Sequence, residues 1–505
     1  MEYSFLSIIP PIIIIALVIF TRKIVLSLGI GIGIAAIIIE QGNIFQAIKT
    51  ILQAIFNLFY SDGEWSSGNL YVLSFLLLLG ALTGLISALG GNRAFGNWIG
   101  RRIRTKRGAQ LMTTTCGVSL FPDDVFSMFV TSQITGPVID YAKVPRTKLA
   151  YLIHSTSDPT CVICPLSSWG AYIIGILTSI FAALQITDNP LIAFLIIATT
   201  NFYALSTLIF VFSSAAFDIN IGKMKKQVAI NQQQIIPTST MKGTVWDLII
   251  PIGTLIIGAI TTMIITGYIH SDTPTIMAIF SNSQVSLSLV IGAGLATFIS
   301  FLLYTRQVIA KKQHFKQVGS ILKRGMKTTI PAVEILLYAW VLSNFIDQLE
   351  TGAYLASLIE NITLPPSFLP LIFFLLTGAM AFATGTSWGT FAIMLPIAAQ
   401  IAEATDPSLM FFLMSAVLSG SLFGDHTSPV SDTTTVASAA AGCSQIDHVV
   451  TQLPYALICA SITAISFLLL GISGMRWIPY VFIILTIGLL IYYFKRKTDC
   501  SKSDF

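Results

Sequence analysis

The chain has 505 residues, of which 54% are hydrophobic and only 10% charged, with a formal net charge of +5. A soluble domain carries roughly 25% charged residues, so a water-facing surface is excluded, and apolar runs that are continuous rather than alternating exclude a β-barrel. The basic residues cluster between apolar runs, which points to a lipid bilayer and away from nucleic acid as partner.

In chain order, apolar stretches near the ~20 residues needed to cross a bilayer predict spans at 4–20, 24–40, 70–90, 149–183, 190–217, 247–268, 285–304, 329–346, 453–474 and 477–494. The first lacks a basic leader and a small-residue cleavage pattern, so it reads as a retained helix. Two stretches, 109–139 and 368–452, resist division into simple spans and carry Gly, Pro, Ser, Thr and Asp instead. The segments 93–107 and 306–327 hold six and seven basic residues and no acid, and Lys223, Lys225, Lys226, Lys495, Arg496 and Lys497 follow other spans. Segments 40–69, 269–284 and 347–367 are acidic, with Asp272 and Glu360 among their carboxylates. The positive-inside rule then places the C-terminus in the cytoplasm, the N-terminus outside, and about eleven crossings between them. The Asn361-Ile362-Thr363 sequon falls on the outer side and reads as chance.

Weak internal echoes suggest two repeats, 70–217 and 329–474, joined by a cytoplasmic linker at 218–246 and followed by a last span and tail at 475–505. Leu120-Phe121-Pro122-Asp123-Asp124 matches Leu422-Phe423-Gly424-Asp425-His426. Ser168-Trp169-Gly170 also resembles Ser387-Trp388-Gly389, at a different offset. Transporters are commonly built this way, with the site where interrupted helices of the two repeats meet. The expected fold is all-α: one polytopic helical transporter domain over 1–505, with two repeats, re-entrant hairpins and broken helices.

The chemistry concentrates in "LFGDHTSPVSDTTTVASAAAG", 422–442. Asp425, Ser428, Pro429 and Asp432 follow i, i+3, i+4, i+7 spacing, one face of a helix. Pro429 lacks an N–H, which frees the Asp425 carbonyl. Exposed carbonyls, hydroxyls and carboxylates are what a small hard cation takes as ligands. An intramembrane carboxylate is costly to charge, so it holds a proton until a cation replaces it, and that competition is exchange. The plainer alternative is a cytoplasmic loop in which Ser431 or Asp432 caps the next helix.

Three further stretches compete for a role. Asp123 and Asp124 follow Pro122 inside an apolar run, where adjacent carboxylates repel. In "HSTSDPTCVICPLSSWGAY", 154–172, Asp158-Pro159 and Pro165 are expected to interrupt the helix and unwind a segment holding Ser157 and Asp158. Cys161 and Cys164 have redox spacing but read as small packing residues. In "FATGTSWGTFAIMLP", 382–396, Thr384, Thr386 and Ser387 suit a re-entrant hairpin tip, although small residues also mediate helix packing. Asp447 and His448 read as an interfacial loop, Glu334 as a lone carboxylate in a span, and His270 and His314 as loop residues. No motif of a zinc protease, hydrolase or ATP-driven machine is present, so no enzyme activity and no cofactor is expected.

Together "FGDHTSPVSDTTTVASAAAG", "IDHVVTQLPYAL", "TGTSWGTFAIMLP" and "FPDD…KLAY…PLSSWGAYIIG" resemble the NhaC-type sodium/proton antiporter family over roughly residues 75–475. The resemblance implies secondary active exchange of sodium for protons in a bacterial inner membrane. Some relatives exchange organic acids instead, so a small organic anion is the alternative cargo, and homo-oligomer formation is left open. Carried over by motif, Asp425, His426, Ser428, Ser431 and Asp432 are core site residues, with Asp123 and Asp124 in the matching half. Asp425 and Asp432 are the expected sodium and proton carriers, with Ser428, Ser431, Thr433, Thr384 and Ser387 as neutral oxygen ligands and Thr386, Ser157 and Asp158 beside them. Where family members carry an Asp-Ser-Thr-Ala-Ala-Pro run, this chain has His154-Ser155-Thr156-Ser157-Asp158-Pro159, which leaves the role of that segment open.

Overall fold

The computed structural model describes residues 5–503 except 22, 62, 92–93, 95–102, 104, 228–242, 272–274, 276–277, 280–281, 311–313, 352–353, 355–364 and 430. Most of the basic segment 93–107, most of the linker 218–246, the Asn361 sequon, Asp272 and Glu360 lie outside the described residues. Almost all of the remainder is helical, and ten described helices are long and apolar enough to cross a membrane. The number is eleven if the pair Ile24–Ile39 and Ile44–Asn57, bent by 119°, counts as one span. The protein is a multi-pass helical membrane protein.

The elements are α1 (Ile9–Thr21), α2 (Ile24–Ile39), α3 (Ile44–Asn57) and α4 (Ser67–Leu89), then α5 (Lys106–Ser119), α6 (Asp124–Tyr141), α7 (Arg146–Ile163) and α8 (Ser168–Ala183). After them come α9 (Pro190–Thr199), α10 (Phe202–Phe217), α11 (Trp246–Ile269), α12 (Val285–Ile309) and α13 (Val318–Gln348). The last third holds α14 (Leu369–Thr384), α15 (Ser387–Thr405), α16 (Met410–Thr427), α17 (Asp432–Ala441), α18 (Gln445–Ser473) and α19 (Trp477–Ser503).

The two unresolved stretches of sequence turn out to be helices interrupted by short breaks. In the first, α5 and α6 meet at a tip over 120–123; beyond it, inside the expected span 149–183, α7 gives way to α8 over 164–167. In the second, α14 and α15 meet at Gly385-Thr386 and α16 gives way to α17 over 428–431. Gly385 turns the second tip with φ +72°, a left-handed conformation open to glycine at no steric cost.

Several expectations change here. The span 149–183 is two helices, and so is 190–217. Segment 40–69 contains α3, which carries exposed Phe45, Ile48, Leu52 and Phe56, the pattern of a helix lying at a membrane surface. Pro159 does not break α7; the helix runs through it to Ile163 and ends before Pro165, where Cys164 is extended. A residue preceding proline is pushed out of the helical region, and this effect prevails at Cys164 but not at Asp158. The same effect acts at Ser428 before Pro429, with φ −74° and ψ 126°. Residues 425–432 are therefore not one helical face.

Close approach of helices rests on glycine. A Cβ on Gly80 would lie 2.6 Å from the Gly325 carbonyl oxygen, binding α4 to α13, and one on Gly292 would lie 2.8 Å from the Leu255 carbonyl oxygen, binding α12 to α11. In lipid, where apolar side chains gain little by meeting each other, such backbone contact is a main source of helix association. The helices α4, α11, α12 and α13 thus pack as one group. The polar helix α7 is the inverse of a soluble surface helix: every described residue from Thr147 to Val162 is buried. The apolar α19 instead exposes Ile484, Leu485 and Leu489, the side chains that suit contact with lipid.

Candidate functional site

A cavity of about 920 Å³ separates α2 and α13 from the two sets of helix breaks. Its wall includes Asp123, Asp124, Ser168, Gly385, Thr386, Ser387, Asp425, Asp432 and Thr433. On the opposite side lie Lys23, Leu76, Thr328 and Tyr338.

The breaks fix these groups by the same device in each half. The first residue of the helix after the break donates its backbone N–H to the neighbouring hairpin tip: Ser168 to the Pro122 carbonyl at 2.8 Å, and Asp432 to the Gly385 carbonyl at 3.3 Å. A serine hydroxyl then holds a carboxylate across the interruption. Ser168 Oγ donates to Asp123 Oδ2 at 3.1 Å, and Ser387 Oγ donates to Asp425 Oδ2 at 3.0 Å. Trp169 and Trp388, next in sequence to those serines, pack edge to face with centroids 5.6 Å apart. Ser-Trp-Gly opens a helix in both halves, after the α7–α8 break in one and after the hairpin tip in the other. Leu-Phe-Pro-Asp-Asp lies at a hairpin tip, whereas Leu-Phe-Gly-Asp-His lies at a helix end before a break.

Asp425 is 1% exposed and sits in the last turn of α16. Besides Ser387 it accepts a short hydrogen bond from Ser431 Oγ. Its carbonyl, freed by the break, receives the Ser428 N–H at 3.2 Å and the Thr434 hydroxyl at 3.4 Å. Asp432, by contrast, is exposed at the start of α17 and opens onto the cavity, while Asp425 is held behind the Ser387 and Ser431 hydroxyls. Asp123 caps α6 by accepting the Phe126 N–H at 3.0 Å, and Asp124 is buried beside it.

A second polar layer lies behind this wall. Thr433 Oγ1 is 3.0 Å from Ser431 Oγ and 2.9 Å from His154 Nε2. His154 Nδ1 lies 3.0 Å from His448 Nε2 and 3.1 Å from Gln452 Nε2. Gln452 Nε2 also donates to the His426 carbonyl at 3.0 Å, which fixes the amide orientation because a carbonyl only accepts. His154 Nδ1 must then accept, and its Nε2 carries the hydrogen. Since Ser431 donates to Asp425, Thr433 donates to Ser431 and accepts from His154. One directed chain of hydrogen bonds therefore runs from His154 through Thr433 and Ser431 to Asp425.

The remaining expected residues are distributed unevenly. Asp158 and His426 lie in the second layer, fully buried. Ser157 donates to Ser127 at 2.8 Å and stands away from the cavity wall. Thr384 turns its hydroxyl back to the Ala381 carbonyl, and Ser428 is buried in the break; neither is among the residues lining the cavity. Cys161 donates to the Phe121 carbonyl and is a free thiol, as Cys164 is. Glu334 is exposed and is not among the cavity residues. His448 is a correction: it is wholly buried in α18 rather than in an interfacial loop. Its i, i+4 partner Gln452 was the available signal, as was the i, i+4 pair His154 and Asp158. Tyr203, whose hydroxyl lies 3.2 Å from His426 Nδ1, and Lys23 carried no local signal.

A bundle of interrupted helices that carry carboxylates to a central cavity defines a secondary-transporter architecture. Solved structures share it. The MtrF antimetabolite efflux pump of Neisseria gonorrhoeae superposes with a TM-score of 0.55 at 14% identity, covering 85% of this chain and 84% of its own. The YdaH transporter of Alcanivorax borkumensis superposes with a TM-score of 0.51 at 12% identity, covering 85% and 90%.

The chain belongs to the Na+/H+ antiporter family, whose model matches residues 160–472. An uncharacterized protein of Haemophilus influenzae is 38% identical over 97% of this chain and 95% of its own length. Shorter matches join it to an uncharacterized Na(+)/H(+) antiporter of the same organism, 29% identical over 37% of this chain and 42% of the relative. A malate-2H(+)/Na(+)-lactate antiporter of Bacillus subtilis is 30% identical over 35% and 37%.

Proposed function

We propose that the protein exchanges sodium for protons by alternating access, with Asp425 as the principal cation and proton carrier. The observation that carries this reading is the Asp425 carboxylate, buried at a helix break and held by Ser387 and Ser431 on the wall of the cavity. A bare carboxylate there is costly to charge, so it exchanges a proton for a cation rather than standing empty. Ser387, Ser431 and the Asp425 backbone carbonyl offer neutral oxygens suited to a hard ion. Asp432, the exposed carboxylate on this wall, gives the cavity a negative charge that draws cations in. Thr386 and Thr433 add hydroxyls on that wall. The membrane is taken to be the bacterial cytoplasmic membrane with the C-terminus inside, in keeping with Lys225, Lys226, Lys323, Arg324, Lys495 and Arg496 on the flanking segments.

The test is flux in liposomes holding a pH-sensitive dye. Sodium or lithium added outside should collapse an imposed pH gradient, whereas flux without any inorganic cation dependence removes the proposal.

A second reading, ion-coupled exchange of an organic acid, is favoured by the volume of the cavity and by Lys23 on its wall. A cavity of about 920 Å³ is far larger than a sodium ion needs, and pockets of this size commonly take organic ligands. Lys23→Gln separates the two. Under cation exchange the variant should run within about threefold of the parent protein, because an exposed charge is screened. Under organic-acid exchange the loss of the ammonium should raise the half-saturating anion concentration at least about tenfold, as for a charge-assisted hydrogen bond of ~1.5–3 kcal/mol. Uptake of radiolabelled malate or lactate reads the difference.

A further inference from the structure

We propose that His154, Asp158 and His426 form a buried binding site for a divalent d-block cation of the zinc type, one layer behind the carboxylates that face the cavity. His154 Nε2 lies 3.2 Å from Asp158 Oδ2, His426 Nε2 lies 3.6 Å from the same oxygen, and the three donor atoms all fall within 4.8 Å of one another. A tetrahedral zinc ion with bonds of ~2.0–2.1 Å holds its ligand atoms about 3.3 Å apart. The two ligand pairs at 3.2 and 3.6 Å bracket that spacing, so an ion fits with small side-chain adjustments.

The hydrogen bonding of the cluster points the same way. Neither Asp158 oxygen makes a hydrogen bond, and His426 Nε2 makes none, although all three atoms are shut off from solvent. The Thr433 hydroxyl also stands near Asp158, but its one hydrogen goes to Ser431 and it accepts from His154. Unsatisfied buried polar atoms are costly and uncommon in native proteins, and here they converge on one point. A cation at that point satisfies all of them together.

The donor set selects the class of ion. Sodium takes oxygen ligands, whereas two imidazoles with one carboxylate are the ligands of zinc, cobalt and their neighbours. The outer partners that such ligands need are also in place. His426 Nδ1 lies 3.2 Å from the Tyr203 hydroxyl, and His154 Nδ1 faces His448 and Gln452. His448 Nε2, 3.0 Å away, supplies in its Nδ1–H tautomer the acceptor that a metal-bound His154 requires once its hydrogen sits on Nδ1. Binding displaces the hydrogen from His154 Nε2, since a metal takes the neutral imidazole through its lone pair. Thr433 lies on the cavity wall and touches His154 Nε2, which gives an entry route and a hydroxyl next to the fourth coordination position.

The chain has five histidines, so His270→Ala with His314→Ala leaves only the three buried rings. Tag-free, chelator-stripped protein of this background in detergent is titrated with cobalt(II). The expected result is one cobalt per chain with the intense visible bands of four-coordinate cobalt, displaced by zinc and not by excess sodium. Asp158→Asn and His426→Gln should each weaken binding at least tenfold. Absence of retained cobalt, or equal binding by both variants, overturns the proposal. X-ray absorption of the unsubstituted protein loaded with one zinc keeps the test independent of how the variants fold. Two imidazoles and a carboxylate around zinc uphold the site, while an all-oxygen or sulfur shell refutes it. Neither measurement depends on sodium transport.

Discussion

Asp425→Asn is expected to lower sodium-dependent proton flux in liposomes by at least about 100-fold, with the protein still monodisperse in detergent. Asparagine keeps the shape of the side chain and can hydrogen-bond to Ser387 and Ser431, so the break between α16 and α17 should survive. What it loses is the charge. A hydrogen bond to an ionised group is worth ~1.5–3 kcal/mol, and a cation also loses its Coulomb partner in a site away from water. Together these exceed the ~2.8 kcal/mol that a 100-fold change represents. Asp432→Asn should have a smaller effect, within about tenfold, because its carboxylate is exposed on the cavity wall, where its charge is screened. Flux assays on both variants decide the matter. A silent Asp425→Asn with an inactive Asp432→Asn would move the carrier role to Asp432.

The second large effect is structural. Gly420 lies where α16 crosses α14, and a Cβ there would sit 2.0 Å from Thr377 Oγ1 and 2.3 Å from the Phe374 carbonyl oxygen. The threonine can rotate, but the carbonyl belongs to a helix and cannot move without shifting α14. Overpacking typically costs ~1–3 kcal/mol, and a backbone clash belongs at the top of that range or beyond it. Gly420→Val should therefore aggregate or melt well below the parent protein. Gly294→Ala, where a Cβ meets nothing within 4 Å, should melt close to it. Melting followed by tryptophan fluorescence, with size-exclusion profiles, is the check. A Gly420→Val protein that melts with the parent would remove close α14–α16 packing as the support of the Asp425 helix.

The two effects meet in one place. Gly420 and Gly424 let α16 lie against α14, and that packing brings Asp425 within reach of Ser387 at the head of α15. The carboxylate is thus positioned by absent side chains at the preceding residue and about one and a half turns before it. The same logic holds in the other half, where Ser168 at the head of α8 reaches Asp123 at the tip between α5 and α6. One half contributes its carboxylates from the hairpin tip, the other from the end of the broken helix. This exchange of roles explains why aligning Asp123-Asp124 with Asp425-His426 paired residues from different positions in the pattern.

What the sequence determined by itself was the environment and the inventory. A chain with 10% charged residues has to bury itself in lipid, and backbone groups in lipid must be satisfied within helices. Clusters of carboxylates and hydroxyls in such a chain mark a polar interior, because the cost of putting them there is otherwise unrecovered. Asp425, Asp432, Asp123, Asp124, Thr386, Ser387 and Thr433 were legible on that ground, and all seven line one cavity. Tertiary structure decided which proline breaks a helix, which carboxylate is held behind hydroxyls and which is exposed, and which polar groups join across hundreds of residues. His154 meets His448 over 294 positions and Thr433 over 279. Local periodicity carries no information about such contacts, since it reports which face of a helix a residue occupies and not what the opposing helix places there.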